Sequence, residues 1–249
     1  WRDSYVIVRA AGYFSAPVPL AETIAAGYLL SQSGIQVPES PLSLVSPPEN
    51  GFSLTKDAQG FWRLDGELPR VPWGRNVGYV IFSYEDMIVS VPVEGCTINQ
   101  GSNVAGEPRD NLTFSNQAVE AAPGAYSSAR IGALIRAAQM AGAAERALEE
   151  AVSYAKERVQ FGRAIGKFQA IQHRAVEMLI LSDEMNSLSS MAALKGNNNV
   201  SALMSYVERR DLACANYLGN FKVALNIVHR AADANGIAHD SEPGDKGER

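Results

Sequence analysis

The apolar positions of this chain change period twice. In residues 1–37 they fall at helical spacing. Pro17 and Pro19 interrupt the run, and Leu20, Ile24 and Leu30 then share one face of a proline-initiated helix. From residue 38 the helical period is lost. Short runs rich in β-branched and aromatic residues follow at 52–55, 61–64, 77–82, 87–91, 96–98 and 112–114. Turn signals separate them at 57–60, at Asp65 and Gly66, and at 84–86. That alternation predicts a small antiparallel β-barrel or sandwich. Beyond residue 122 the helical period returns, in an alanine-rich context. A helix over 127–157 turns Ile131, Leu134, Ile135, Ala138, Ala141, Leu148 and Val152 inward, with Glu145, Arg146, Glu149 and Glu150 on a solvated face. Glu22 reads as part of a solvated face in the same way. A second helix covers 168–195. Gly196 and the three asparagines after it stop that helix, and a third covers 200–232. Helices of this length predict an antiparallel bundle. The fold class is therefore α+β and multi-domain, divided at 1–37, 38–122 and 123–238, with a polar tail at 239–249 expected to be disordered.

Composition narrows the function classes. With 249 residues, 46% of them hydrophobic, the chain can bury a sizeable core. Its net charge of −5 argues against a nucleic-acid partner. Cys96 and Cys214 lie far apart, so neither a disulfide framework nor a zinc site is expected, and the cytoplasm is the expected compartment. His173, His229 and His239 are scattered, and no metal site is expected. No apolar run is long enough to span a bilayer, so no membrane partner is expected either.

The densest chemistry lies between the two helices at 127–157 and 168–195. Arg158, Gln160, Phe161, Ile165, Phe168, Gln169 and Gln172 fall within a turn punctuated by Gly162 and Gly166. A guanidinium pairs with phosphate oxygens in a fork, amides hydrogen-bond ribose and phosphate, and aromatic rings pack on an adenine or flavin face. Such a set can grip a dinucleotide. Spacing alone equally allows a plain helical hairpin, because Phe168, Ile171, Ala175 and Met178 sit at core spacing on the second helix.

The same stretch resembles the flavin-binding motif of the acyl-CoA dehydrogenase family, R-x-x-F-G followed after two residues by I-x-x-[FH]-Q-x-[IV]-Q. Arg158, Phe161, Gly162, Ile165, Phe168, Gln169, Ile171 and Gln172 fit it position by position. The string P-V-P-L-A-E-T, from Pro17 to Thr23, is similar to one in the amino-terminal helical domain of some bacterial members. Residues 64–67 resemble a hairpin of the family's middle β-domain. The resemblance implies a remnant of the amino-terminal helical domain, a middle β-domain and a carboxy-terminal bundle, incomplete at both ends. It also implies FAD as cofactor, an acyl-CoA thioester as substrate, and a homo- or hetero-oligomer with another acyl-CoA dehydrogenase-like subunit. Fatty-acid or steroid catabolism is the implied setting. Arg158, Gln160, Phe161, Ile165, Phe168, Gln169 and Gln172 are the residues it assigns to FAD.

The family's chemistry needs a carboxylate base within reach of the substrate α-carbon. One family position for it falls near Gly132, where residues 128–133 hold no carboxylate. The other lies in a glycine-rich segment that this sequence does not contain after Ala238. No catalytic residue is therefore assigned. Three functional expectations remain: an FAD-dependent acyl-CoA dehydrogenase or a subunit of one; a non-catalytic homologue packed on a longer partner; and a flavin-dependent monooxygenase on the same fold.

Overall fold

Pro19 starts a helix because its missing N–H is one that a first turn cannot use. The Thr23 N–H donates to the Pro19 carbonyl at 2.9 Å, and α2 (Leu20–Gln32) follows α1 (Arg2–Tyr13). The structure is a computed structural model, and it describes residues 2–195. The predicted third helix at 200–232 and the tail at 239–249 lie outside the described residues. So do Leu203, Tyr206, Val207, Tyr217 and Phe221, whose apolar spacing in that helix predicts an oligomer interface. Among the described residues the chain forms two compact units, residues 2–146 with 182–195, and residues 147–181.

The first unit holds α1, α2 and the sheet. Its strands are β1 (Leu42–Leu44), β2 (Phe52–Lys56), β3 (Trp62–Pro72), β4 (Tyr79–Tyr84), β5 (Met87–Pro92), β6 (Thr97–Asn99) and β7 (Arg109–Pro123). They run in the order β1-β4-β5-β7-β3-β2, with β6 also on β7. The sheet is mixed, since β1 pairs with β4 in parallel while the other pairs are antiparallel. Among the described residues the sheet thus differs from the expected all-antiparallel one: it is mixed and does not close into a barrel. The cause is local: Thr23 Oγ1 accepts from the Leu42 N–H at 3.0 Å, which fixes β1 to α2 and leaves β4 as its strand neighbour.

A second correction concerns Asp65 and Gly66, read as a turn. They lie within β3, at a register shift against β7. Gly66 has φ +115°, and a Cβ there would strike the Gly51 carbonyl, so the glycine marks a bulge where two backbones approach.

The cores match the two halves of the pattern. Leu64, Leu68, Val71, Val80, Phe82, Val89, Val91 and Leu112 are buried in the sheet. Ala21, Ala25, Ala26, Leu29 and Leu30 of α2 pack with Leu42, Ile81, Ile88, Ile131 and Ile135. The face of α2 turned inward is the alanine stripe. Leu20, expected inside, is exposed. Small side chains let the helix approach, and Leu20 stands one position outside that stripe.

The long helices fall close to their predicted bounds, α3 at Ser128–Glu157 and α4 at Gln169–Lys195. The start of α3 is tied to β4 by a reciprocal pair of hydrogen bonds. Ser128 N–H donates to Ser83 Oγ at 2.9 Å, and Ser83 N–H donates to Ser128 Oγ at 3.1 Å. Two carboxylates read as solvated each have a cationic partner, and only Glu145 keeps part of its surface. Glu22 is 1% exposed and pairs with Arg136, and Glu145 pairs with Arg9. Each faces an arginine on a neighbouring helix, and periodicity within one helix cannot reveal such a partner. No helix among the described residues is long and apolar enough to cross a membrane.

Candidate functional site

The second unit carries the turn. Arg158 follows the last residue of α3, its N–H donating to the Tyr154 carbonyl at 2.9 Å. A short hairpin comes next, β8 (Val159–Gln160) against β9 (Arg163–Ala164). Gln160 pairs directly with Arg163, and the Ile165 N–H donates to the Arg158 carbonyl at 2.8 Å. The two connecting residues both have positive φ, +52° at Phe161 and +76° at Gly162. That is the pattern of a type I′ turn, whose right-handed twist matches the strands. Gly162 takes the left-handed conformation without penalty, whereas Phe161 holds it at a cost of about 1 kcal/mol.

The hairpin leads through a 3₁₀ turn at Ile165–Lys167 into α4. The Phe168 carbonyl receives the Ile171 N–H at 3.0 Å and the Gln172 N–H at 3.1 Å, so it sets the first turn of the helix.

The predicted residues divide by what they have left to offer. Gln160 is 5% exposed, and its Oε1 has no hydrogen-bond partner. A buried polar atom of that kind costs about 1–3 kcal/mol if nothing satisfies it. Arg158 is half-buried, and its guanidinium makes no ion pair or hydrogen bond among the described residues. Phe161 is 65% exposed at the tip of the turn, and Gln169 is exposed at the head of α4. The other three are committed within the unit. Ile165 is buried, Gln172 Nε2 donates to the Gly166 carbonyl at 3.1 Å, and the Phe168 ring lies under the Arg163 guanidinium, 4.3 Å from its centroid. Phe168 also meets Phe161 edge-on, with centroids 6.0 Å apart and planes at 89°. Arg163 was not among the residues picked from sequence. Its signal was its place opposite Gln160 across a two-residue turn, legible only once the hairpin is known.

This donor set suits a phosphate-bearing nucleotide. It offers an unpaired guanidinium, a buried amide oxygen lacking a donor, and exposed aromatic surface. A catalytic base is a separate matter. A Cβ at Gly132 would have Leu44 Cδ2 at 3.8 Å as its neighbour, an apolar surrounding. Among the described residues no group of His, Cys, Asp and Glu is arranged to hold a metal ion.

A family model for the acyl-CoA dehydrogenase C-terminal domain matches residues 125–236, a span that contains the whole turn. Residues 125–236 are identified by it as an acyl-CoA dehydrogenase C-terminal domain. It is 30% identical over 168 residues to acyl-CoA dehydrogenase IpdE2 of Mycolicibacterium smegmatis (strain ATCC 700084 / mc(2)155), an alignment covering 62% of this chain and 54% of that relative. The chain thus spans about half the length of the curated relative it matches. Among solved structures, the ChsE4-ChsE5 complex from Mycobacterium tuberculosis aligns with a TM-score of 0.74 at 17% identity, over 87% of this chain and 67% of that one. A structure described as a Tcur3481-Tcur3483 steroid ACAD, G363A variant, aligns with a TM-score of 0.70 at 23% identity, over 87% and 70%. At these identities the two structures share a fold with this acyl-CoA dehydrogenase homologue.

Proposed function

We propose that the chain is an FAD-binding acyl-CoA dehydrogenase or a subunit of one, and that the turn at 158–172 is its dinucleotide contact. The observation that carries this reading is the pairing of an unpartnered Arg158 guanidinium with a buried, unpartnered Gln160 Oε1, inside a stretch that fits the family's flavin motif. Bound FAD supplies the acceptor for the hydride lost from the substrate β-carbon. Arg158 holds pyrophosphate oxygens of an FAD bound chiefly by a neighbouring subunit. Gln160 receives a hydrogen bond from the ligand, Phe161 packs against its rings, and Gln169 lies beside its ribityl or adenosine part.

The chain's own contribution to the proton transfer has no assigned residue. Gly132 offers none, and its neighbour is a leucine. That observation favours a second reading, in which the chain lends the flavin contact to a longer subunit that holds the base. Complexes of two distinct subunits among the similar folds support the same reading.

The test is FAD stoichiometry and affinity on wild type, Arg158→Ala and Arg158→Lys, each alone and with a full-length homologue. A charge-assisted hydrogen bond contributes about 1.5–3 kcal/mol, so Arg158→Ala is expected to weaken FAD about ten- to a hundredfold. Lysine keeps the charge and loses the planar fork, so Arg158→Lys recovers only part of it. Unchanged FAD affinity in Arg158→Ala, or no FAD with any of the three, removes the flavin role.

A further inference from the structure

The surroundings of the turn are electropositive in a chain whose net charge is −5. From residue 156 to 177 the charged side chains are Lys156, Arg158, Arg163, Lys167 and Arg174 against Glu157 and Glu177. Both acids are engaged: Glu157 Oε1 accepts from Ser153 Oγ at 3.1 Å, and Glu177 pairs with Arg174 at 3.1 Å. Arg158 and Arg163 have no carboxylate partner among the described residues.

The hairpin register brings these two arginines together with Gln160. Residues paired directly across a two-residue turn put their side chains on one face. The register therefore sets Arg163 opposite Gln160, with Arg158 just before β8 and its carbonyl bonded to the Ile165 N–H. The Gln160 amide oxygen is buried and lacks a donor.

Arg163 is also held in position. Its guanidinium carbon lies 4.3 Å from the Phe168 centroid, over the ring face. A cation–π stack uses the flat face of the guanidinium and leaves the N–H groups at its edge unspent. The Phe168 ring is in turn braced by the edge-on contact with Phe161. Stacking thus fixes the cation beforehand without neutralising it, whereas a salt bridge would neutralise it.

We propose that Arg163 is a second anion-binding residue of this turn, making with Arg158 a two-cation cradle that selects a diphosphate over a monophosphate. The proposal rests on the dinucleotide reading of the turn and adds a specificity-determining residue to it. One guanidinium grips one phosphate group equally well in either ligand. Two, at one hairpin, reward a ligand with two linked phosphates. A ligand hydroxyl or amino group beside them supplies the donor that Gln160 Oε1 lacks.

The test titrates the full chain calorimetrically with inorganic pyrophosphate and with inorganic phosphate. The wild type is expected to bind pyrophosphate more tightly than phosphate. Arg163→Ala is expected to lower pyrophosphate affinity about tenfold and to remove most of the preference. Arg163→Lys should keep part of it, and Phe168→Leu should weaken it by unseating the guanidinium. Arg163 is exposed, so its alanine variant should melt with the wild type, which separates loss of binding from loss of fold. Equal affinity of wild type and Arg163→Ala for pyrophosphate, or no preference for pyrophosphate in the wild type, overturns the proposal. Titration with FAD separates the two readings. Arg163-dependent pyrophosphate binding without FAD binding leaves the cradle and removes the flavin. FAD binding with pyrophosphate binding indifferent to Arg163→Ala does the reverse.

Discussion

Asp110 has no exposed surface, yet it carries a charge. Burial alone would raise its carboxyl, but the Arg75 guanidinium and the N–H groups of Gly101 and Arg75 outweigh burial and hold it below the usual carboxylate range. The folded value is depressed, so the stabilisation is fully present above the unfolded aspartate value of about 3.9 and is lost as pH falls through the folded value. Asp110→Asn should lower stability at neutral pH, because it removes the carboxylate that faces Arg75 and leaves that guanidinium only Gln100 Oε1 and the Gly101 carbonyl. It should also flatten the acid limb of the stability curve. Urea titrations of wild type and variant at pH 7 and near pH 3 check both, and an unchanged midpoint at pH 7 counts against this account. This ion pair was invisible in the sequence, as was that of Glu22 with Arg136. Arg75 and Asp110 lie on elements that only the fold brings together. The turn between the two long helices was legible because its spacing is local.

At the scale of elements, two glycines of α3 make opposite predictions. A Cβ at Gly142 would fall on the Arg9 carbonyl of α1, and one at Gly12 on the Gln139 carbonyl of α3, so the two helices touch backbone to backbone. A Cβ at Gly132 would meet Leu44 Cδ2 at 3.8 Å, an ordinary contact. Helix propensity by itself favours alanine over glycine by about 1 kcal/mol. Gly132→Ala should therefore raise the melting temperature. Gly142→Ala should lower it, because forcing the helices apart costs about 1–3 kcal/mol and exceeds the propensity gain. Thermal melts of the two variants with the same sign would show that the crossing is not what sets the effect. Periodicity located α3 and α4 to within a residue or so, since each is long enough for its apolar stripe to repeat several times. β1 was not recognised as a strand. Three residues carry no period, and its pairing comes from Thr23 on α2 and Tyr79 on β4. The closed barrel failed for a related reason: alternation reports which face of a strand is buried, not which strand lies beside it.

For the whole molecule, the second unit leaves Val159, Phe161, Val176, Leu179 and Ile180 between 47% and 65% exposed. Apolar residues gathered at such density mark surfaces that associate. Light scattering on the purified chain should therefore give more than the 26.8 kDa of one copy, or should do so once a longer homologue is added. A single-copy mass in both conditions at micromolar concentration would refute this. The order of the sheet has a consequence for how such a chain is made. The β2–β3 and β4–β5 pairs are neighbours in sequence and can form as soon as they leave the ribosome. β7 lies between them, pairing with β5 on one side and β3 on the other. Until Pro123 has been synthesised, the nascent chain carries two hairpins whose inner edges have no partner. Edges of that kind recruit other chains. The interval between the emergence of β5 and that of β7 is thus the period in which this protein is most exposed to aggregation, and the one in which a chaperone would matter most.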